Sequence, residues 1–272
     1  MKILNGTELA GFVTERQARQ VRNLRQGWGI APKLAIVQTV DNPVINTYVR
    51  MKRRYGEDIL VDVEVHQPAG NAVFETIEKL NQDSSVHGII IQLPLVGGLD
   101  VDAVVNTVDA HKDVDGLSGT SPFTAATAQA IDWLLNGYNV DVQKQKIAII
   151  GNGRLVGAPL AKLWRSAGFD VTVFDEHSTN MAKQLRRYNL IVSAAGVPGL
   201  LAADSIQPGA VVVDAATSAE HGKIVGDVAD EVRSRSDLTI TPIKGGVGPL
   251  TVASLFDNVI RAARAVAEAT KD

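Results

Sequence analysis

Tyr48 and Lys52 stand four residues apart in the stretch 44–55, whose apolar spacing predicts a helix. On a helix that interval puts both side chains on one face. A lysine oriented by a hydroxyl, with its charge disfavoured, can serve as a base or an acid. The neighbouring Arg50, Arg53 and Arg54 offer the plainer reading of a solvated basic face. Gln92 ends the apolar run 88–92 and is followed by Leu93 and Pro94. A polar amide at the carboxyl end of a parallel strand stands where ligands bind, or else it caps the strand. The segment 111–116 (HKDVDG) reads as a turn with two carboxylates, Asp113 and Asp115, two residues apart. Such a pair can hold a metal, but no further ligands gather near it in the sequence.

A second group of residues follows the strand-like run 146–150. It reads Gly151-Asn152-Gly153-Arg154-Leu155-Val156-Gly157 and leads into a helix-like stretch. Strand, glycine turn and helix start together aim backbone N–H groups at a helix N-terminus, where phosphate is favoured. The GxGxxxG spacing is one residue longer than the usual dinucleotide fingerprint, and a glycine turn that only packs helix on strand is the competing reading. Asp175 ends the next strand. An acid there accepts the ribose hydroxyls of NAD and repels the extra phosphate of NADP. Ala195 and Gly196 end another strand with side chains small enough for a ligand to approach the backbone. The segment 241–251 holds Pro242, Gly245, Gly246, Gly248 and Pro249 just before a helix. That density of special backbone residues suits a ligand loop better than a linker.

These residues need elements to hold them. Runs at 33–39, 59–65 and 88–92 read as strands, with helices at 7–26, 44–55 and 72–82 around them. A second series has strands at 146–150, 171–174, 189–193, 210–214 and 238–241, with a helix at 156–167. Helical spacing at 124–135 connects the two series, and 250–270 forms a last helix. Alternating strands and helices imply parallel sheets with right-handed crossovers, hence an α/β chain of two lobes.

Composition removes other classes. The 272 residues carry 27 Lys plus Arg against 30 Asp plus Glu, too even for a nucleic-acid or membrane-surface protein. Cysteine is absent, so thiolate metal sites, disulfides and cysteine nucleophiles are excluded. No metalloprotease or serine-hydrolase signature occurs, so no metal is assigned. The N-terminus becomes polar too soon for a signal peptide, and no apolar run approaches a membrane span, so a cytoplasmic location is expected.

TYVRMK, GIIIQLPL, KDVDG, the glycine loop ending VGAP, AAGVPG, GKIVGDV and GGVGPLT occur in this order. With them the chain resembles, from about Ile3 to Ala263, the bifunctional FolD family of methylenetetrahydrofolate dehydrogenase/methenyltetrahydrofolate cyclohydrolases. The resemblance implies a folate-binding lobe at 1–121 with 250–272, and a Rossmann-like NAD(P)-binding lobe at 122–249. The last helix would return to the first lobe, and the assembly would be a homodimer. It implies oxidation of 5,10-methylenetetrahydrofolate, then hydrolysis to 10-formyltetrahydrofolate. Lys52 would be the acid/base residue, Tyr48 would pack on the folate ring, Gln92 would tune the lysine and Asp115 would hold the pterin edge. Leu93, Pro94, Gly245, Gly246, Val247, Pro249 and Leu250 would complete the substrate surface. Gly151, Asn152, Gly153, Arg154, Val156, Gly157, Asp175, His177, Ser178, Ala195, Gly196 and Thr124 would meet the cofactor.

The chain departs from the family pattern at several points. Val44-Ile45 replace Ala-Ser, the stretch between Gly116 and Pro122 is shortened, and Lys244 replaces a proline. Gly151-Asn152-Gly153 replaces Gly-Arg-Ser, which together with Asp175 favours NAD; His177, Ser178 and Arg154 pull toward NADP. Three alternatives remain: a monofunctional relative, a shikimate-dehydrogenase-like oxidoreductase, and a non-catalytic folate or nucleotide binder.

Overall fold

The computed structural model describes residues 1–269 except Thr217, His221 and Gly222, with the backbone alone for 218–220 and 223–224. Gly222 of the GKIVGDV motif, the expected helix end at Thr270, and 271–272 of the expected folate lobe lie outside the described residues. In chain order the first elements are β1 (Lys2–Ile3), α1 (Gly6–Trp28), β2 (Lys33–Gln38), α2 (Pro43–Ile59), β3 (Asp62–His66), α3 (Val73–Gln82), β4 (Gly88–Gln92) and α4 (Val101–Asn106). Then come α5 (Ala126–Gly137), β5 (Ile147–Ile150), α6 (Gly157–Ser166), β6 (Val171–Phe174), α7 (Met181–Leu185), β7 (Leu190–Ser193) and β8 (Val211–Asp214). The chain closes with β9 (Ser218–Glu220), β10 (Lys223–Val225), α8 (Asp230–Arg233), β11 (Thr239–Ile240) and α9 (Val247–Ala269). Among the described residues no helix is long and apolar enough to cross a membrane.

The chain packs as two units, Gly11–Ala126 with the chain from Val252 on, and Met1–Ala10 with Thr127–Thr251. The first ten residues therefore sort with the second sheet, whereas the sequence reading puts them in the folate lobe. The cause is β1, a two-residue strand too short to show a period, whose Lys2 and Ile3 pair with Thr239 and Ile240 of β11.

The unit that begins at Gly11 is built on a parallel sheet ordered β3-β2-β4. Side chains alternate across it, as the two-residue period of a strand demands. Leu34, Ile36 and Ile90 join a core with Val21 and Leu24 of α1, Val49 of α2, and Phe256 and Val259 of α9. Ala35, Val37, Ile89 and Ile91 face the other way, onto Ile77 and Leu80 of α3 and Val104 of α4. Both faces are covered, which is why these strands read as unbroken apolar runs. α9 returns to α1 as expected: Gln17, fully buried, donates to Ala253 O at 2.8 Å, and Arg16 pairs with Asp257 at 2.8 Å.

α2 starts where Asn42 caps Val44 N at 2.8 Å and Pro43 opens the first turn. It runs to Ile59, past the expected end at Tyr55, and β3 begins only at Asp62. The β-branched run beginning at Ile59 reads as strand, but Ile59 belongs to the buried stripe of α2. Leu60, at φ 66°, then turns the chain, and Val61 N donates to Gly56 O at 2.9 Å, closing the helix. α9 begins three residues before the expected start, because Pro249 sits in the first turn, where a missing N–H costs nothing.

The second sheet is ordered β1-β11-β8-β7-β5-β6, and all its pairings are parallel. From β5 the chain steps to β6 on one side and then returns to β7 on the other. The strand order thus reverses between β5 and β7, the place where such sheets bind ligands at their carboxyl ends.

Candidate active site

The buried positions of α2 are Ile45, Val49, Gly56 and Ile59. Lys52 falls between Val49 and Gly56 on the same stripe, so the helix turns its amine inward while Arg50, Arg53 and Arg54 stay exposed. Lys52 Nζ donates to Gln92 Oε1 at 2.7 Å, and Gln92 Nε2 donates to Leu93 O at 3.1 Å. Burial lowers the Lys52 pKa, and the nearby Asp115 carboxylate opposes that only in part. Tyr48 lies one turn earlier, 39% exposed, with its ring open to a ligand.

The HKDVDG turn separates its charged residues by role. Lys112 Nζ donates to the carbonyls of Leu80, Asn81 and Asp83 at 2.9, 2.7 and 2.7 Å, capping the end of α3. Asp113 Oδ2 accepts from Ser118 N at 2.8 Å, and Asp113 O accepts from Ser121 Oγ at 2.8 Å, which ties down the short 116–122 stretch. Asp113 pairs with Ile89 of β4, so Asp115 is carried along that strand toward Gln92. Burial pushes the Asp115 carboxyl up to about 6, against the pull of Lys52. The site therefore joins an amine and an acid, each of whose charged forms burial disfavours.

In the other unit a pocket of about 700 Å³ opens at the β5/β7 reversal. It is lined by Gly151, Asn152 and Gly153 after β5, by Asp175, Glu176, His177 and Ser178 after β6, and by Ala194, Ala195 and Val197 after β7. The three glycines differ in purpose. A Cβ on Gly151 would lie 2.5 Å from Ala194 O, and one on Gly157 would lie 1.9 Å from Gly151 O, so both are required by chain packing. A Cβ on Gly153 would meet nothing within 4 Å. Gly153 thus leaves open space at the entry to α6, the room a phosphate needs to reach backbone N–H groups. The residues present fit a dinucleotide. Asp175 Oδ1 accepts from His177 N at 3.0 Å and from Ser178 Oγ at 2.9 Å, with the hydroxyl bond foremost in lowering its pKa.

Two family models cover nearly the whole chain. The tetrahydrofolate dehydrogenase/cyclohydrolase catalytic domain matches residues 4–115, and the NAD(P)-binding domain of the same family matches 125–267. The chain belongs to the tetrahydrofolate dehydrogenase/cyclohydrolase family. A bifunctional protein FolD of Macrococcus caseolyticus is 33% identical over 276 residues, covering 97% of this chain and 98% of its own. The bifunctional FolD dehydrogenase/cyclohydrolase structure from Campylobacter jejuni matches with TM-score 0.92 at 33% identity, over 97% of this chain and 99% of that one. The Trypanosoma brucei FolD enzyme, solved with NADP and an inhibitor, matches with TM-score 0.90 at 27% identity, over 97% of each chain. As a family member the chain is an α/β dehydrogenase/cyclohydrolase of tetrahydrofolate one-carbon metabolism with an NAD(P)-binding domain. The shikimate-dehydrogenase-like alternative is set aside by these matches.

Not all the residues nominated from the family pattern gather in these two places. Arg154, Val156, Gly157 and Gly196 belong to the same loops as the pocket residues but stand outside its lining. Thr124 belongs to the Lys52 unit, where its carbonyl accepts from Asn258 Nδ2 at 3.0 Å. Gly245, Gly246, Val247, Pro249 and Leu250 lie in the pocket-bearing unit, against the start of α1. Thr7 N donates to Gly245 O at 3.0 Å, and a Cβ on Gly6 would lie 1.8 Å from Gly246 O. Val247 and Leu250 are buried.

Sequence reasoning missed three supports of the site. Gln38, paired with Gln92 across β2 and β4, donates to Asn46 Oδ1 at 2.7 Å and fixes the first turns of α2. Asn258 of α9 donates to Val114 O at 2.9 Å as well as to Thr124 O, holding the HKDVDG turn from behind. Glu176 adds a second carboxylate to the pocket. An amide inside an apolar helix stripe was the one available signal, and it marks Asn258.

Proposed function

We propose that the chain oxidises 5,10-methylenetetrahydrofolate with NAD in preference to NADP, and hydrolyses the methenyl product to 10-formyltetrahydrofolate through Lys52. The Lys52–Gln92 hydrogen bond of 2.7 Å, on an amine whose pKa burial lowers, carries this reading. Hydride loss leaves an amidinium-like cation. A fixed ammonium beside it would oppose its formation, and an amine able to be neutral does not. The nicotinamide, when bound, supplies the hydride acceptor. In the hydrolysis Lys52 takes a proton from the water that attacks the methenyl carbon. It returns one to the ring nitrogen as the bond to that carbon breaks. Gln92 holds Nζ without carrying a charge that would keep it protonated. Tyr48 stacks on the folate ring and Asp115 accepts from the N–H edge of the pterin. Leu93, Pro94 and the 245–250 loop complete the substrate surface.

The preference for NAD rests on Asp175 and Glu176, both on the pocket. Asp175 is held ionised by its bonds from Ser178 and His177. A carboxylate pair there repels a 2′-phosphate and accepts from ribose hydroxyls. A homodimer in the cytoplasm is proposed as the working form. In its support, β3 is an edge of its sheet, with backbone for a second copy to bond. Light scattering should give twice the chain mass, and a monomer would overturn the dimer.

One spectrophotometric assay tests the chemistry. Methylenetetrahydrofolate is supplied with each nicotinamide cofactor, and methenyl formation and decay are followed. Formation should be faster with NAD, and decay should stop in Lys52→Met. Full hydrolysis by Lys52→Met would overturn the role of the lysine. A large preference for NADP would overturn the Asp175 argument. Methenyl accumulation without decay in the native protein would mark a monofunctional relative.

A further inference from the structure

Behind the pocket, and outside its lining, lies Asp227, a carboxylate with no exposed surface. It accepts three hydrogen bonds from the end of β7 and the loop that follows it. Ser193 Oγ donates to Oδ2 at 2.6 Å, Ala195 N to Oδ2 at 2.8 Å and Val197 N to Oδ1 at 2.8 Å. Ala195 and Val197 line the pocket directly. Between them Gly196 takes φ 71°, so the loop is bent around the carboxylate. A buried carboxylate satisfied by three donors fixes those donors in turn, because withdrawing any one of them leaves charge uncompensated in a low-dielectric interior.

Asp227 is itself held from behind. Its N–H donates to Asp214 Oδ1 at 3.2 Å, the N–H of Val228 donates to Asp214 Oδ2 at 3.2 Å, and Arg233 Nη2 meets that oxygen at 2.6 Å. Asp227 O accepts from Leu201 N at 2.9 Å, closing the far end of the loop. Gly226 is required for this arrangement, since a Cβ there would lie 2.0 Å from Asp214 Oδ2. The Gly-Asp-Val end of the GKIVGDV motif thus has a physical purpose. Gly226 passes over one carboxylate so that Asp227 can present another.

We propose that Asp227 is a positioning residue. By clamping Ser193, Ala195 and Val197 it sets the backbone against which the dinucleotide seats, and so the dinucleotide affinity, without touching the ligand. This rests on the reading of the pocket as the dinucleotide site. The full-length protein, Asp227→Asn and Ser193→Ala are compared by calorimetric titration with NAD and NADP, by KM and kcat for the oxidation, and by circular dichroism and thermal melting. An asparagine opposes one of the three donors with its own N–H groups. Asp227→Asn should raise the Kd for NAD about tenfold or more and raise KM in step, with kcat at saturating NAD within about threefold of native. Ser193→Ala leaves both amide donors in place and should raise Kd about threefold. If Asp227→Asn does not fold, Ser193→Ala decides alone. Native Kd in the folded variants, or a fall in kcat with Kd unchanged, overturns the proposal. A native protein that binds neither NAD nor NADP overturns instead the reading of the pocket.

Discussion

An amine on an apolar helix stripe makes charge the costly state. Lys52 occupies that position on α2, and its amine donates to a neutral amide, Gln92. Replacing Gln92 by glutamate supplies a countercharge, which favours the ammonium. In Gln92→Glu the acid limb of the hydrolysis pH profile, where the proton-accepting amine becomes protonated, should therefore move up by about one pH unit or more. An unmoved limb would show that the limb does not report Lys52. Asp115 gives the complementary experiment. Its carboxyl, pushed up to about 6, holds a proton more tightly in the folded chain than in the unfolded one. Stability contributed by that group is therefore present at low pH, falls as pH rises from about 4 to 6, and stays lost above. Asp115→Asn removes the ionisation. Its melting temperature should exceed that of the native chain at pH 7.5, by the equivalent of about 1–3 kcal/mol, with the difference vanishing near pH 4. An equal difference at both pH values would contradict this.

Elements place these groups by where they end. β2 and β4 stop at Gln38 and Gln92, side by side, and α2 leaves immediately after β2, so Lys52 returns over the strand ends. The other end of α2 is set by Leu60, a non-glycine residue in the left-handed region and 46% exposed. Leu60→Gly removes a Cβ that this conformation disfavours and little packing. It should stabilise the chain by about 0.5–1 kcal/mol in denaturant unfolding. A loss of stability would mean that the exposed leucine packs more than its surface suggests. α9 performs the same service from the far end of the sequence, bringing Asn258 to the carbonyls of Val114 and Thr124.

Across the whole molecule, the two units are each discontinuous in sequence. Lys2 N donates to Leu238 O at 3.0 Å and Leu4 N to Ile240 O at 2.9 Å, so the extreme N-terminus is part of the second sheet. A ligand that binds the folded pocket stabilises the unit that carries it, by about 2.7 kcal/mol at a hundredfold excess over Kd. In hydrogen exchange with NAD, protection should therefore rise in peptides spanning β5 to β8 and, in step, in peptides covering residues 1–5. Peptides 1–5 that follow β2–β4 instead would place the N-terminus in the other unit.

The α/β class, the strands of both sheets other than β1, the Tyr48–Lys52 face and the glycine loop were legible because local periods and turn residues report them. The departures share one cause. Ile59 looks like strand until α9 and β2 bury it on a helix, and β1 is too short to have a period. Asp113 and Asp115 are identical in type, yet only the turn held by Asn258 and Ser118 sends one toward Lys52. Asp227 stands in the GKIVGDV motif, but nothing local showed what it holds, since its partners lie about thirty residues earlier in the chain. The sequence by itself determined which residues could do proton chemistry and which loop could meet a phosphate. Tertiary structure alone decided which charges are desolvated and which are spent on capping, because burial and hydrogen-bond geometry depend on residues far apart in the chain.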